Sequence, residues 1–189
     1  RAALDWYQTD DQVAALRLAN RLTAFWSARG HFSEARRRLN ELLEVVPEEN
    51  SERAAALSGV GWLATDQGDY AAAIGLLGQS IALAHAAHDL VAEGYALFYR
   101  ARATVGSGRM AAGGGDAEDA LDLLTQADDT AGVASALFFC AIATQYSGDV
   151  ELACDLFARC AATYEKSGLP AGAARALQLL GIARLILGD

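Results

Sequence analysis

The nearest approach to a metal-binding set in this sequence is His85 and His88, three residues apart, with Asp89 directly after them. Residues at that spacing share a helix face, and imidazole is a common zinc ligand. The pair falls where a helix is expected to end, however, and the helix dipole favours such side chains there with or without a metal. Cys140, Cys154 and Cys160 form no CxxC pair, and only three histidines are present to complete a zinc set. Small buried thiols in a reducing cytoplasm are the simpler reading. The paired acids Asp128-Asp129 mark a helix junction. No GxSxG, HExxH, GxGxxG or GxxxxGK[ST] pattern occurs, and the run Gly113 to Gly115 has no lysine after it. The expectation is a protein that binds or holds something: not an enzyme, with no catalytic residue, no metal and no cofactor.

Charge narrows the partners. A formal net charge of −9 argues against direct nucleic-acid contact, because phosphate binding needs clustered Lys and Arg. The one basic run, Arg36-Arg37-Arg38, is followed by Glu41 and Glu44 at helical spacing, the pattern of a salt-bridged, solvated face. No apolar run approaches the roughly 18 residues of a membrane span and no basic-then-apolar leader opens the chain, so a cytoplasmic location away from any membrane is expected. Arginine outnumbers lysine, which occurs only as Lys166, and alanine is abundant, a bias of GC-rich bacterial genomes. The opening at Arg1 without methionine and the close at Gly188-Asp189 read as the ends of a fragment.

The elements that must position any site emerge from a repeat. Gly30, Gly68, Gly108, Gly148 and Gly188 lie 38, 40, 40 and 40 residues apart in matching surroundings. A small residue stands five positions after the glycine (Ala35, Ala73, Gly113, Ala153) and another seven before it (Thr23, Gly61, Ala101, Ala141, Gly181). Each glycine supplies the left-handed residue that ends a helix, and the Asp after it in three repeats can cap the next one. Asp89, Asp129, the run Pro47 to Ser51 and the run Ser167 to Pro170 punctuate the junctions between hairpins. Apolar residues recur at three- and four-residue steps, as in Ile74, Leu77 and Ile81. Helices are expected over 11–29, 32–46, 51–67, 70–87, 90–107, 116–127, 130–147, 149–166 and 171–187, with residues 1–8 finishing an earlier one. The fold class is all-α, a right-handed superhelical stack of antiparallel helical hairpins in a single domain (about 10–47, 50–88, 89–128, 129–168 and a half hairpin 170–189). The run Met110-Ala111-Ala112-Gly113-Gly114-Gly115 should delay or fray its helix, since each glycine costs about 1 kcal/mol relative to alanine. It reads either as a hinge or an opening for a ligand, or as a loose turn.

The small residue Gly61 followed by Gly68-Asp69-Tyr70 and Ala73 resembles the tetratricopeptide repeat consensus, and the likeness extends over nearly the whole chain. The period of about 40 exceeds the usual value of about 34 and is similar to the longer repeats of large bacterial regulators. The opening Arg1-Ala2-Ala3-Leu4-Asp5-Trp6, Phe25-Trp26 and Arg29-Gly30-His31-Phe32-Ser33-Glu34-Ala35 resemble the segment after the nucleotide-binding module in LuxR-type and related signal-transducing ATPase transcriptional regulators, chiefly actinobacterial. That resemblance implies an ATPase module upstream, a DNA-binding domain elsewhere, and repeats acting as a sensor or autoinhibitory arm.

Stacked hairpins of this kind line a concave surface with their first helices. The repeat's groove positions, carried over from the aligned glycines, are Asn20, Ala24 and Ser27; Ser58, Trp62 and Thr65; Tyr95, Phe98 and Arg102; Phe138, Ile142 and Gln145; and Gln178, Ile182 and Leu185. Trp62, Tyr95, Phe98, Arg102, Phe138, Ile142 and Gln145 form the proposed ligand or partner groove, an aromatic centre with one cation, the composition of interaction hot spots. Packing is the competing role for such aromatics, with Phe139 or Tyr99 facing inward instead. Arg100 stands where the repeat normally has Leu, so it needs a partner, either an acid such as Asp66 or an anionic ligand. A carboxylate clamp of Lys and Asn is not matched, because the corresponding positions hold Asn20, Ser58 and Phe98. The leading function is a protein-interaction and sensing scaffold that binds a protein, a peptide or other domains of its own chain. The alternatives are a small-molecule effector domain and a self-association (homo-oligomer) module.

Overall fold

Helix-periodic apolar residues alternate with side chains that cap helix ends, and this chemistry divides the chain. The computed structural model describes residues 11–46 and 50–188. Among them are ten α-helices and no strand. They are α1 (Gln12–Arg21), α2 (Thr23–Ala28), α3 (Phe32–Val45), α4 (Ser51–Asp66), α5 (Tyr70–Ala86), α6 (Leu90–Gly106), α7 (Gly114–Gln126), α8 (Thr130–Ser147), α9 (Val150–Lys166) and α10 (Pro170–Leu187). Consecutive helices pack as antiparallel hairpins, and the first helices α4, α6, α8 and α10 also pack on one another. The expected residues 1–8, Pro47 and Asp189 lie outside the described residues.

All five marker glycines are left-handed, with φ of 72°, 77°, 89°, 102° and 91°. Asp69 and Asp149 cap as expected, their Oδ1 atoms accepting from the backbone N–H of Ala72 at 3.4 Å and Leu152 at 3.0 Å. A second left-handed series at the hairpin junctions was not anticipated: His88 (φ 53°), Asp128 (φ 54°) and Gly168 (φ 69°), again 40 residues apart. His and Asp are among the non-glycine residues that tolerate this conformation. The Asp that follows in two of these turns, Asp89 or Asp129, caps the next helix through Ala92 N–H at 2.9 Å or Gly132 N–H at 2.8 Å.

Three expectations need correction. The single helix over 11–29 is interrupted at Leu22, whose N–H is shared between the carbonyls of Leu18 and Ala19, both at 3.1 Å, while the Thr23 hydroxyl also donates to the Ala19 carbonyl at 3.4 Å. Such side-chain competition for a helical carbonyl tightens the turn. The glycine run does delay its helix, which starts at Gly114 where the other hairpins would place the start at Met110, but two residues before the expected 116. A 3-10 turn over Ala111–Gly113 leads straight into α7 at Gly114. Gly113 and Gly114 are buried, and a Cβ on them would meet Val105 Cγ2 at 2.8 Å and Ala143 Cβ at 3.1 Å, so their bareness admits α6 and α8 to close contact. Finally, Pro170–Leu187 is long and apolar enough to span a membrane by length and composition, with a mean hydropathy of 1.2. It carries Arg175 and Arg184, and it packs on α9 along the face of Ala173, Ala176, Leu180 and Ala183.

Small side chains at the crossings set the core. Ala35, Ala73, Ala101, Ala141 and Ala153 are fully buried, as the flanking pattern of the repeat predicts. Gly181 is the exception, with no neighbour within 4 Å of its would-be Cβ among the described residues. Between the crossings lie Leu16, Leu39, Leu42 and Leu63 at one end and Phe138, Phe139, Phe157 and Leu180 at the other. Arg53 closes the end of α3, donating to the carbonyls of Leu43 at 2.7 Å and Val46 at 2.8 Å. The three cysteines are unpaired, and Cys160 Sγ donates to the Ala134 carbonyl at 3.2 Å. Burial pushes the thiols of Cys140 and Cys160 up to about 12.

A Cβ at Gly61 would stand 2.6 Å from Leu77 Cγ, whereas one at Gly75 would meet nothing within 4 Å. Gly61→Val is therefore expected to cost about 1–3 kcal/mol by overpacking, and Gly75→Ala to stabilise by up to about 1 kcal/mol through helix propensity. Urea unfolding followed by far-ultraviolet circular dichroism measures both, and a Gly61→Val protein as stable as the parent would contradict the tight crossing. At pH 8 the two buried thiols are held protonated, so iodoacetamide should label the partly exposed Cys154 first and reach Cys140 and Cys160 only on unfolding, as followed by mass spectrometry.

Candidate functional site

Residues i and i+4 of a helix share a face, and three first helices turn such faces toward one another. α1 and the start of α2 contribute Asn20 and Thr23, α4 contributes Ser58 and Trp62, and α6 contributes Tyr95 and Tyr99. Together with Ala55, Gly59, Asp89, Val91 and Ala92 they enclose a concavity of about 510 Å³, within the size range of ligand pockets. Gly59 makes the approach possible, because a Cβ there would lie 2.7 Å from Asn20 Oδ1 and 3.2 Å from Thr23 Oγ1. Val91, 41% exposed, borders the open side.

The aromatic rings are layered. Trp62 stacks on Tyr99 with centroids 5.4 Å apart and planes within 9°, and Tyr95 lies 6.3 Å from Tyr99 at a tilt of 33°. From Tyr99 the row continues through Phe98 at 4.8 Å to Phe139 at 5.6 Å, and on to Phe138 and Phe157. Burial, and then the Asp129 carboxylate, hold the Tyr95 hydroxyl in its protonated form well above the ordinary phenol range. Burial likewise pushes Tyr99 up to about 12, with Arg102 opposing and Asp66 reinforcing the shift.

Polar groups behave in two ways. Asp66 accepts from the Ser27 hydroxyl at 2.7 Å and is paired with the Arg102 guanidinium, so Ser27 and Arg102 are tied together beside the groove. Ser58 is 8% exposed, and its Oγ has no hydrogen-bond partner among the described residues. A helical serine would ordinarily donate to the carbonyl four residues back. Here that carbonyl, Ala54, already accepts from Ser80 Oγ at 2.7 Å besides its helical N–H. Asp89 spends one carboxylate oxygen on capping α6 and faces the concavity with no basic residue among its described lining neighbours.

Of the residues expected to form the groove, Trp62 and Tyr95 line the concavity with Asn20 and Ser58, and Phe98 stands in the aromatic row behind them. Phe138 is 4% exposed, with Arg175 lying 4.9 Å over its ring, and Ile142 is partly buried against the same core. Gln145 is half-buried on α8, and Ile182 and Leu185 are exposed on α10 at 44% and 73%. The partner of Arg100 is corrected: a bidentate pair joins it to Asp116, Nε to Oδ2 at 2.7 Å and Nη2 to Oδ1 at 2.6 Å, while Asp66 serves Arg102. Asp116 raises the Arg100 pKa further. His85 pairs with Glu93 at 3.0 Å, and no cluster of three His, Cys, Asp or Glu among the described residues could hold a metal. The basic run is ion-paired, the exposed Arg37 with Glu41 at 2.6 Å, the largely buried Arg38 with Glu34 at 3.3 Å and Arg36 with Asp69 at 3.0 Å, the last linking neighbouring hairpins. Sequence reasoning missed Asp89 as a wall of the concavity. Its capping role was legible, but its nearness to Trp62 depends on how α4 and α6 cross.

No protein-family model matches the chain, and no curated protein matches it. Solved structures do. A crystal structure of the nearly identical TPR-like repeats of a protein described as a kinesin light chain from Podosopora anserina is 16% identical, with a TM-score of 0.68 over 93% of this chain and 97% of that one. A point-substituted form of the same repeats is 15% identical, with a TM-score of 0.67 over 94% and 98%. At that level of identity the likeness establishes the fold: the chain is similar to tetratricopeptide-like repeat solenoids along nearly its whole length.

Proposed function

We propose that the chain is a non-catalytic interaction scaffold whose groove across α1, α4 and α6 holds a segment of a partner protein or of a neighbouring domain. The observation that carries this reading is the open concavity walled by Trp62, Tyr95 and Tyr99. Desolvated aromatic walls of this kind concentrate binding energy. Its mouth is flanked by Val91 on the first turn of α6, which suits an extended or helical segment better than a sealed effector cavity does. The tetratricopeptide-like fold supports a scaffold role, since stacked hairpins offer extended surfaces.

In the finer reading, residues 1–189 are the single-domain sensing arm of a larger cytoplasmic transcriptional regulator of the LuxR-related, signal-transducing ATPase kind. The support is the Gly-Asp-Tyr repeat with its long period and the Arg29 to Ala35 motif. The full coding sequence of the gene tests it: a nucleotide-binding loop and a DNA-binding domain in the same product agree with it, and their absence rejects it.

Selection of peptides from a random displayed library on the immobilised chain tests the groove itself. Trp62→Ala combined with Tyr95→Ala should lower the affinity of selected peptides by at least about tenfold, or about 1.4 kcal/mol, while the helical dichroism is retained. Selected peptides that bind the double variant as well as the parent would move the binding surface elsewhere.

A further inference from the structure

The concavity has a chemical bias beyond its aromatic walls. Among the described residues its only charged lining residue is Asp89, and no Lys, Arg or His lines it. Its polar lining comprises one Asp89 oxygen beyond the capping contact, the Asn20 side chain and the hydroxyl residues Thr23, Tyr95 and Tyr99, with the unpartnered Ser58 Oγ buried within the wall. An anionic ligand would meet like charge there with no cation to receive it, because Arg102 is already committed to Asp66. An apolar ligand would cover Asp89 without giving its second carboxylate oxygen a donor.

A planar cation answers both demands. Guanidinium presents donors along its edges for Asp89 and Asn20, and its faces stack on indole and phenol rings. A lysine ammonium supplies the charge without the flat face. The overall charge of −9 draws basic segments toward the surface. We propose that the Asn20–Ser58–Trp62–Asp89–Tyr95 concavity is a receptor for an arginine side chain of the partner segment. This rests on the scaffold reading above and specifies the partner's chemistry, a basic segment with an arginine anchor.

The test uses the complete 189-residue chain and N-acetyl-L-arginine methylamide as probe, with the citrulline analogue as its neutral isostere and the lysine analogue as its non-planar counterpart. The indole N–H resonance of Trp62, assigned by its loss in Trp62→Phe, reports occupancy. Arginine should shift it saturably, with citrulline weaker by about tenfold or more and lysine in between. Asp89→Asn keeps the helix cap, because Asn caps as well as Asp, yet it should reduce arginine affinity to that of citrulline. Equal binding of arginine and citrulline, an Asp89→Asn variant that binds arginine unchanged, or no shift of Trp62 would each overturn the proposal. The peptide selection separates this failure from that of the scaffold reading. Groove-dependent peptides lacking arginine would sink the anchor and leave the scaffold standing, whereas peptides indifferent to Trp62 and Tyr95 would remove the groove itself.

Discussion

Two α-helices approach closely only where the side chain between them is small, and this steric condition governs the whole array. Leu77 fits over bare Gly61, and Leu124, fully buried, lies between Gly94 and Gly132, where either Cβ would come within 3 Å of it. A glycine inside a helix costs about 1 kcal/mol in propensity, and burying one leucine against it returns roughly 1.5–3 kcal/mol. The exchange is favourable at Gly61 and near balance at Leu124, where two glycines face one leucine. Small residues recur at the crossings about every 40 residues, with Ala101 and Ala141 in the place of Gly61, so close approach is repeated along the stack.

That arrangement decides what is left for recognition. The first helices place small residues at their crossings, while Leu57, Leu63, Leu97 and Leu137 fill the core between them. Trp62 lies one residue after Gly61, and Tyr95 one after Gly94, so each aromatic is turned about 100° around the helix from its crossing. Trp62, Tyr95 and Tyr99 make the concave surface aromatic, and its polar chemistry is set by which charges find partners. Arg100 and Arg102 are consumed by Asp116 and Asp66, while Asp89 is consumed only halfway, by a helix cap. The remaining potential is negative in a wall that otherwise has only aromatic and small neutral groups.

The turns show how one geometric requirement can be met by different residues. Within hairpins the left-handed position is always glycine, which made the repeat visible. Between hairpins the same conformation is taken by His88, Asp128 and Gly168, and no identity pattern reveals it. The His85–His88 spacing thus reflects a helix end and the turn after it, where His85 finds Glu93.

Hairpin register, the caps at Asp69, Asp89, Asp129 and Asp149, and the face carrying Trp62 and Tyr95 were determined by local sequence, because capping, left-handed turns and 3.6-residue periodicity act over a few residues. Tertiary structure alone decided the rest. It gave Arg100 to Asp116 and Arg102 to Asp66, covered Phe138 with Arg175, packed Gly113 and Gly114 into close contact, and brought Asn20, Ser58 and Asp89 from three separate stretches to one concavity. Those outcomes depend on the angle and distance at which whole helices cross. That geometry is summed over many distant contacts, and no short stretch of residues encodes it.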